Sequence, residues 1–150
     1  MGEKGNNTNL AAEYFALSML YRVGANAYLT LGNKKSIDIV VDKDGDTLTA
    51  DVKGLRGTSC FPVDNWKKKE KNHHLIFVSF LNRIKDPSCP PESYIVPSLD
   101  LDILQKELDG KSLVYRNPKG NRTVVELSRL RKVAHKYRDQ WDFFMAPGPE

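Results

Sequence analysis

The stretch Ser36–Lys53, SIDIVVDKDGDTLTADVK, decides the fold. Two runs rich in Ile, Val and Thr flank Asp44-Gly45, the kind of dipeptide that supplies the positive φ angles of a two-residue hairpin turn. Pairing Lys43 with Asp46 then fixes the register: Val41 meets Leu48, Ile39 meets Ala50 and Ile37 meets Val52, which makes one face wholly apolar. The opposite face sets Asp42 against Thr47, Val40 against Thr49 and Asp38 directly against Asp51, with Lys53 further along the same side. Directly opposed side chains have Cβ atoms roughly 4.5–5.5 Å apart, and like charges placed so are destabilising. A divalent cation would compensate them. A solvated hairpin whose lysine offsets the repulsion is the plainer alternative.

Working outward, Leu10, Tyr14, Leu17 and Tyr21 recur at helical spacing, widened by Ala11, Phe15 and Leu20, and Gly24 offers a left-handed stop. The pattern predicts a first helix with this stripe buried, after a loose segment 1–8. Glu13 adjoins the stripe. It could face the hairpin, or it could simply favour the positive end of the helix dipole. Ala27–Leu31 reads as a short strand. The segment Gly54-Leu55-Arg56-Gly57-Thr58-Ser59 reads as a basic, hydroxyl-bearing loop beside the hairpin's polar face, without a Walker-type phosphate cradle. Leu75–Leu81 is a continuous apolar run suited to a strand covered on both sides.

The run KDPSCPPES holds three prolines and is a loop. Tyr94–Val96 reads as a strand, and Ser98 as the N-cap of a helix over Leu99–Leu108. Ser112–Arg116 and Arg122–Val125 form a second hairpin. A final helix is expected with Leu127, Leu130, Ala134, Tyr137, Trp141 and Phe144 on one face, beginning after a strand with Ser128 as its cap. Residues 145–150 are expected to be loose. His73 and His74 are adjacent in a strand, so at most one can join a given site. Trp66 and Trp141 read as partly buried anchors.

Length and composition bound the rest. One domain spanning 1–150 is expected, with 40% apolar and 28% charged residues, too apolar for a disordered chain. The apolar runs are short of a bilayer span, and the polar start lacks a signal-peptide core. Cys60 and Cys89 show no metal-binding spacing, which suits a reduced, cytoplasmic setting. The net charge of +4 is lopsided: nine Lys or Arg lie between Lys111 and Arg138 against one acid, Glu126. A second basic cluster holds Lys67, Lys68 and Lys69. Such surfaces attract nucleic acid, although basic helix faces also occur in proteins that bind none.

Taken together, Glu13 in a first helix, Asp38 on one hairpin strand, Asp51-Val52-Lys53 on the next and then a buried strand resemble the PD-(D/E)XK nuclease superfamily, which includes restriction endonucleases and Holliday-junction resolvases. The likeness covers roughly residues 9 to 81, and Ile37 stands where the name-giving proline would be. It implies an α/β, restriction-endonuclease-like fold with a mixed central β-sheet flanked by helices. It also implies a metal-dependent endonuclease acting on DNA with Mg²⁺, or Mn²⁺ as a substitute. Asp38, Asp51 and the carbonyl of Val52 would hold the metal, Glu13 would add a ligand directly or through water, and Lys53 would position or activate the attacking water. Arg56, Lys67, Lys68, Lys69, Arg131 and Lys132 are the candidates for holding the nucleic-acid backbone. A non-catalytic nucleic-acid-binding or assembly module on the same fold is the alternative. A homodimer is compatible with this class, but no heptad or obvious apolar patch argues for one.

Overall fold

The computed structural model describes residues 3–30, 38–63, 70–106, 113–117 and 122–145. The turn at Asp44-Gly45 forms as its chemistry demands, with φ of 52° and 83°. It joins β2 (Ile39–Lys43) to β3 (Asp46–Leu55). Their pairs run from Lys43 with Asp46 to Ile39 with Ala50, in the expected register. The apolar face of this hairpin, Ile39, Val41, Leu48, Ala50 and Val52, is buried.

β1 (Asn26–Leu29) lies antiparallel on β2, while β5 (His73–Ser79) runs parallel to β3 and β6 (Glu92–Pro97) antiparallel to β5. The result is a five-stranded mixed sheet in the order β1-β2-β3-β5-β6. Every residue of β5 is buried. Ile76 and Val78 face one core, and Leu75 and Phe77 the other, so both sheet faces are covered.

The first core is closed by α1 (Glu3–Arg22) together with Trp141 and Phe144. The second is closed by α2 (Leu101–Lys106), α3 (Leu127–Val133) and a small antiparallel sheet of β4 (Cys60–Pro62), β8 (Arg122–Glu126) and β7 (Val114–Asn117). The chain is therefore a mixed α/β fold with helices against its central sheet, as the hairpin, the buried strand and the flanking periodicities predict. Among the described residues, no helix is long and apolar enough to cross a membrane.

Three elements depart from expectation. The first helix begins at Glu3, so residues 3–8 are helical rather than loose. Its buried face is Ala12, Ala16 and Leu20, whereas Leu10, Tyr14 and Tyr21 are exposed. The small alanines let the helix lie close on β3: a Cβ on Gly54 would come 3.0 Å from both the Ala12 Cβ and the Thr8 carbonyl oxygen. Gly24 ends the helix at φ 79° as expected, with Ala25 N–H donating to the Leu20 carbonyl at 2.9 Å.

Ser98 does not cap a helix through its side chain. It starts a single 3₁₀ turn, Ser98–Asp100, and its buried hydroxyl donates to the Glu70 carbonyl at 2.9 Å. The last helix begins after a strand as expected, but at Leu127 with Glu126 in the cap position, and it stops at Val133. Beyond it the chain makes only the 3₁₀ turns His135–Tyr137 and Trp141–Phe144. The cause is the edge of β6: Tyr94 bridges Arg138, Asp139 N–H donates to Ser93 at 3.1 Å, and Asp139 takes φ 54°. Strand pairing there overrides the helical period.

Candidate metal and phosphate cleft

The regular ladder of β2 with β3 has Ile39 and Ala50 as its last described pair, and Asp38 turns away from it. The Asp38 N–H donates to the carbonyl of Ala50 at 2.8 Å, which places Asp38 and Ile39 together opposite one residue of β3. This is the geometry of a bulge, which re-aims a side chain at the end of a ladder. The Asp38 backbone carbonyl is taken up by the Thr30 N–H at 3.0 Å, and its carboxylate accepts the Val52 N–H at 2.7 Å. Asp38 is therefore not the plain cross-strand partner of Asp51 that an uninterrupted hairpin would make it. The pairing of Ile37 with Val52 lies outside the described residues.

The bulge still delivers Asp38 to Asp51, close enough for the two carboxyl groups to perturb each other. Burial pushes the Asp38 pKa up to about 7, against the Val52 N–H, which lowers it. The adjoining Asp51 carboxyl and the charge of Glu13 add to the rise. Asp51 is 5% exposed and lies 3.1 Å from the Lys53 ammonium. Glu13 reaches the same neighbourhood from α1, its pKa raised by burial and then by the Asp51 charge. The close seat of the helix on Gly54 brings it there.

These groups line a cleft of about 520 Å³ with Thr8, Asn9, Val52, Gly54, Leu55, Arg56, Cys60, Pro62 and Arg122. Three acids (Glu13, Asp38, Asp51) thus share it with three bases (Lys53, Arg56, Arg122), so the cleft suits a cation bound together with an anion. The donor set of Asp38, Asp51 and the Val52 carbonyl fits a hard ion such as Mg²⁺, which takes one or two carboxylates and completes its shell with water and phosphate oxygens. The Val52 N–H points toward β2, and the carbonyl of a strand residue shares its direction. Among the described residues no three His, Cys, Asp or Glu side chains group closely enough to hold one ion, so Glu13 lies beside the pair of aspartates rather than forming a three-acid cluster with it.

Of the basic candidates, Arg56 lines the cleft. Lys67, Lys68 and Lys69, with Trp66, lie outside the described residues. Arg131 and Lys132 do not line the cleft, and the Arg131 guanidinium is engaged by Glu92, with Nη2 2.8 Å from Oε1 and Nε 2.9 Å from Oε2. Arg131 therefore holds a buried carboxylate while its own side chain stays partly exposed. Arg122, Thr8 and Asn9 were not singled out from sequence. Arg122 reaches the cleft because β8 pairs with the three-residue strand β4, too short to stand out as a period. His73 bonds Thr49 Oγ1 at 2.7 Å and His74 packs on Phe143 and Phe144, so they face opposite sides of β5 as their adjacency requires.

No protein-family model matches the chain, and no curated protein matches it. A solved structure of a bacterial homing endonuclease is similar over 97% of this chain and 93% of that one, at 19% sequence identity and a TM-score of 0.44.

Proposed function

We propose that this chain is a metal-dependent nuclease of the PD-(D/E)XK type that hydrolyses phosphodiester bonds of DNA. The observation that carries the reading is the pair of adjoining carboxyls, Asp38 and Asp51, with Lys53 3.1 Å from Asp51 in a cleft also lined by arginines. Asp38, Asp51 and the Val52 carbonyl would hold Mg²⁺, which when bound polarises a phosphoryl oxygen and lowers the pKa of a bound water.

The chain's own groups then have distinct tasks. The Val52 N–H fixes the Asp38 carboxylate in place. Lys53 contributes a compact positive charge beside the reacting phosphate. Arg56 and Arg122 orient the backbone by hydrogen-bonding its phosphates. Glu13, beside the two aspartates, would add a ligand to the ion directly or through water.

The test is cleavage of single-stranded, duplex and branched DNA with Mg²⁺ and with EDTA. Cleavage is expected with Mg²⁺ only. Lys53→Ala should lower it by about 10²–10³-fold while metal binding persists, the usual effect of removing one group that stabilises developing charge. A wild-type chain that cuts none of these substrates removes the catalytic reading. The second reading, a non-catalytic DNA-binding or assembly module, draws on the Lys53–Asp51 ion pair, which already offsets part of the cleft's negative charge. It predicts steeply salt-dependent DNA binding without cleavage.

A further inference from the structure

The outward face of α1 is apolar where a solvent-facing helix should be charged. Leu10, Tyr14 and Tyr21 are 42%, 59% and 58% exposed, and Leu17 between them is half-buried. Between Asn7 and Tyr21 the helix holds one charged residue, Glu13, which lines the cleft beside Asp38 and Asp51 instead. The spacings from Leu10 to Tyr14, Leu17 and Tyr21 are 4, 3 and 4 residues, the alternation of a coiled-coil seam. A shallow cleft of about 440 Å³ on this face is lined by Tyr14, Leu17, Ser18, Tyr21 and Arg22. The first four stand at i, i+3, i+4 and i+7, the outline of a hole that receives one side chain of a facing helix. Ser18 is small enough to leave that hole open.

We infer that α1 pairs antiparallel with α1 of a second copy of this chain, through Leu10, Tyr14, Leu17 and Tyr21. The order Leu, Tyr, Leu, Tyr becomes Tyr, Leu, Tyr, Leu when reversed. An antiparallel copy therefore sets Leu10 against Tyr21 and Tyr14 against Leu17 at every level, while a parallel copy would set each tyrosine against itself. Such a two-fold contact is self-complementary and closed. The helix dipoles oppose favourably in the same orientation. The hole around Ser18 receives the second copy's Tyr14. A seam of three turns is smaller than the roughly 800 Å² per partner of a stable interface, so the pair is a reversible one that forms with concentration. The sequence reading placed these residues on the buried stripe, which is why it offered no seam. This proposal does not depend on the nuclease reading.

Sedimentation equilibrium of the full chain over a concentration series tests it. The wild type is expected to follow a monomer–dimer equilibrium. Tyr14→Lys with Tyr21→Lys should weaken it about tenfold or more, with helix content and melting temperature unchanged because both side chains are exposed. Orientation is read by cross-linking. Leu10→Cys chains mixed with Tyr21→Cys chains should form a disulfide dimer, and neither alone should, because an antiparallel pair separates equal positions by about 16 Å along the axis. The wild type, carrying Cys60 and Cys89, is the control. A monomer at every concentration, association untouched by the lysines, or dimers formed by each single variant alone would overturn the inference.

Discussion

Two carboxylates at the central sheet, Glu92 buried and Asp38 half-buried, differ in what surrounds them. Glu92, 4% exposed, accepts both Nε and Nη2 of Arg131 and the hydroxyl of Tyr94. Its pKa is lowered, chiefly by the Arg131 hydrogen bonds, in spite of burial. Asp38 instead meets Asp51 and Glu13, and its pKa rises to about 7 with burial as the first cause. A satisfied ion pair needs no further partner, whereas a carboxylate pair crowded by a third acid holds a proton or waits for a cation. That contrast separates a structural acid from a site, and each can be disturbed on its own.

The largest effect is expected at the closed pair. Arg131→Met leaves Glu92 buried without its guanidinium, and denaturant unfolding should show a loss of about 3 kcal/mol, the low end for such a break because Arg131 is partly exposed. An unchanged stability would mean that Glu92 is not held as described. Next comes His74, a buried titratable group whose Nδ1 has no hydrogen-bond partner among the described residues. Burial lowers its pKa from 6.5 to about 4, so protonation favours the unfolded chain. Its contribution should be whole above pH 6.5 and decline as pH falls toward 4, and His74→Phe should flatten that limb of a stability–pH curve.

Gly54→Ala crowds the Ala12 Cβ and the Thr8 carbonyl and should cost about 1–2 kcal/mol. It should also lift Glu13 from the cleft, lowering activity more than a surface change of equal stability cost. The smallest change has the opposite sign. Asp38→Asn keeps an acceptor for the Val52 N–H and can donate to Asp51, so it relieves repulsion without opening a cavity. The Asp38 pKa is raised from 3.8 to about 7, so its stabilising contribution is present below pH 3.8 and lost as pH rises through about 7. Relative to wild type, the asparagine should therefore gain roughly 1 kcal/mol above pH 7 without added metal, after discounting for solvent screening. Thermal melts at pH 4 and pH 8 check the difference.

Much of this was legible in the residues. Asp44-Gly45 set the hairpin register, the unbroken run at Leu75 placed a central strand, and Asp38, Asp51, Lys53, Arg56 and Glu13 converge on one cleft. Local turn chemistry governs the first, and continuous apolarity the second. The bulge at Asp38 was hidden, because a ladder's end depends on where the next strand, here through Thr30, takes up the backbone. The orientation of α1 was misread because its larger apolar side chains face outward while alanines meet Gly54. The run after Val133 kept a helical period but was captured by the edge of β6.

Mg²⁺ titration calorimetry at pH 6.5 in buffers of different ionisation heat tests the central claim most directly. One ion per chain should bind with release of the proton carried by Asp38, and both binding and proton release should vanish in Asp38→Asn and Asp51→Asn. Binding of the same strength in those variants, or none in the wild type, would contradict a cation site between the two aspartates.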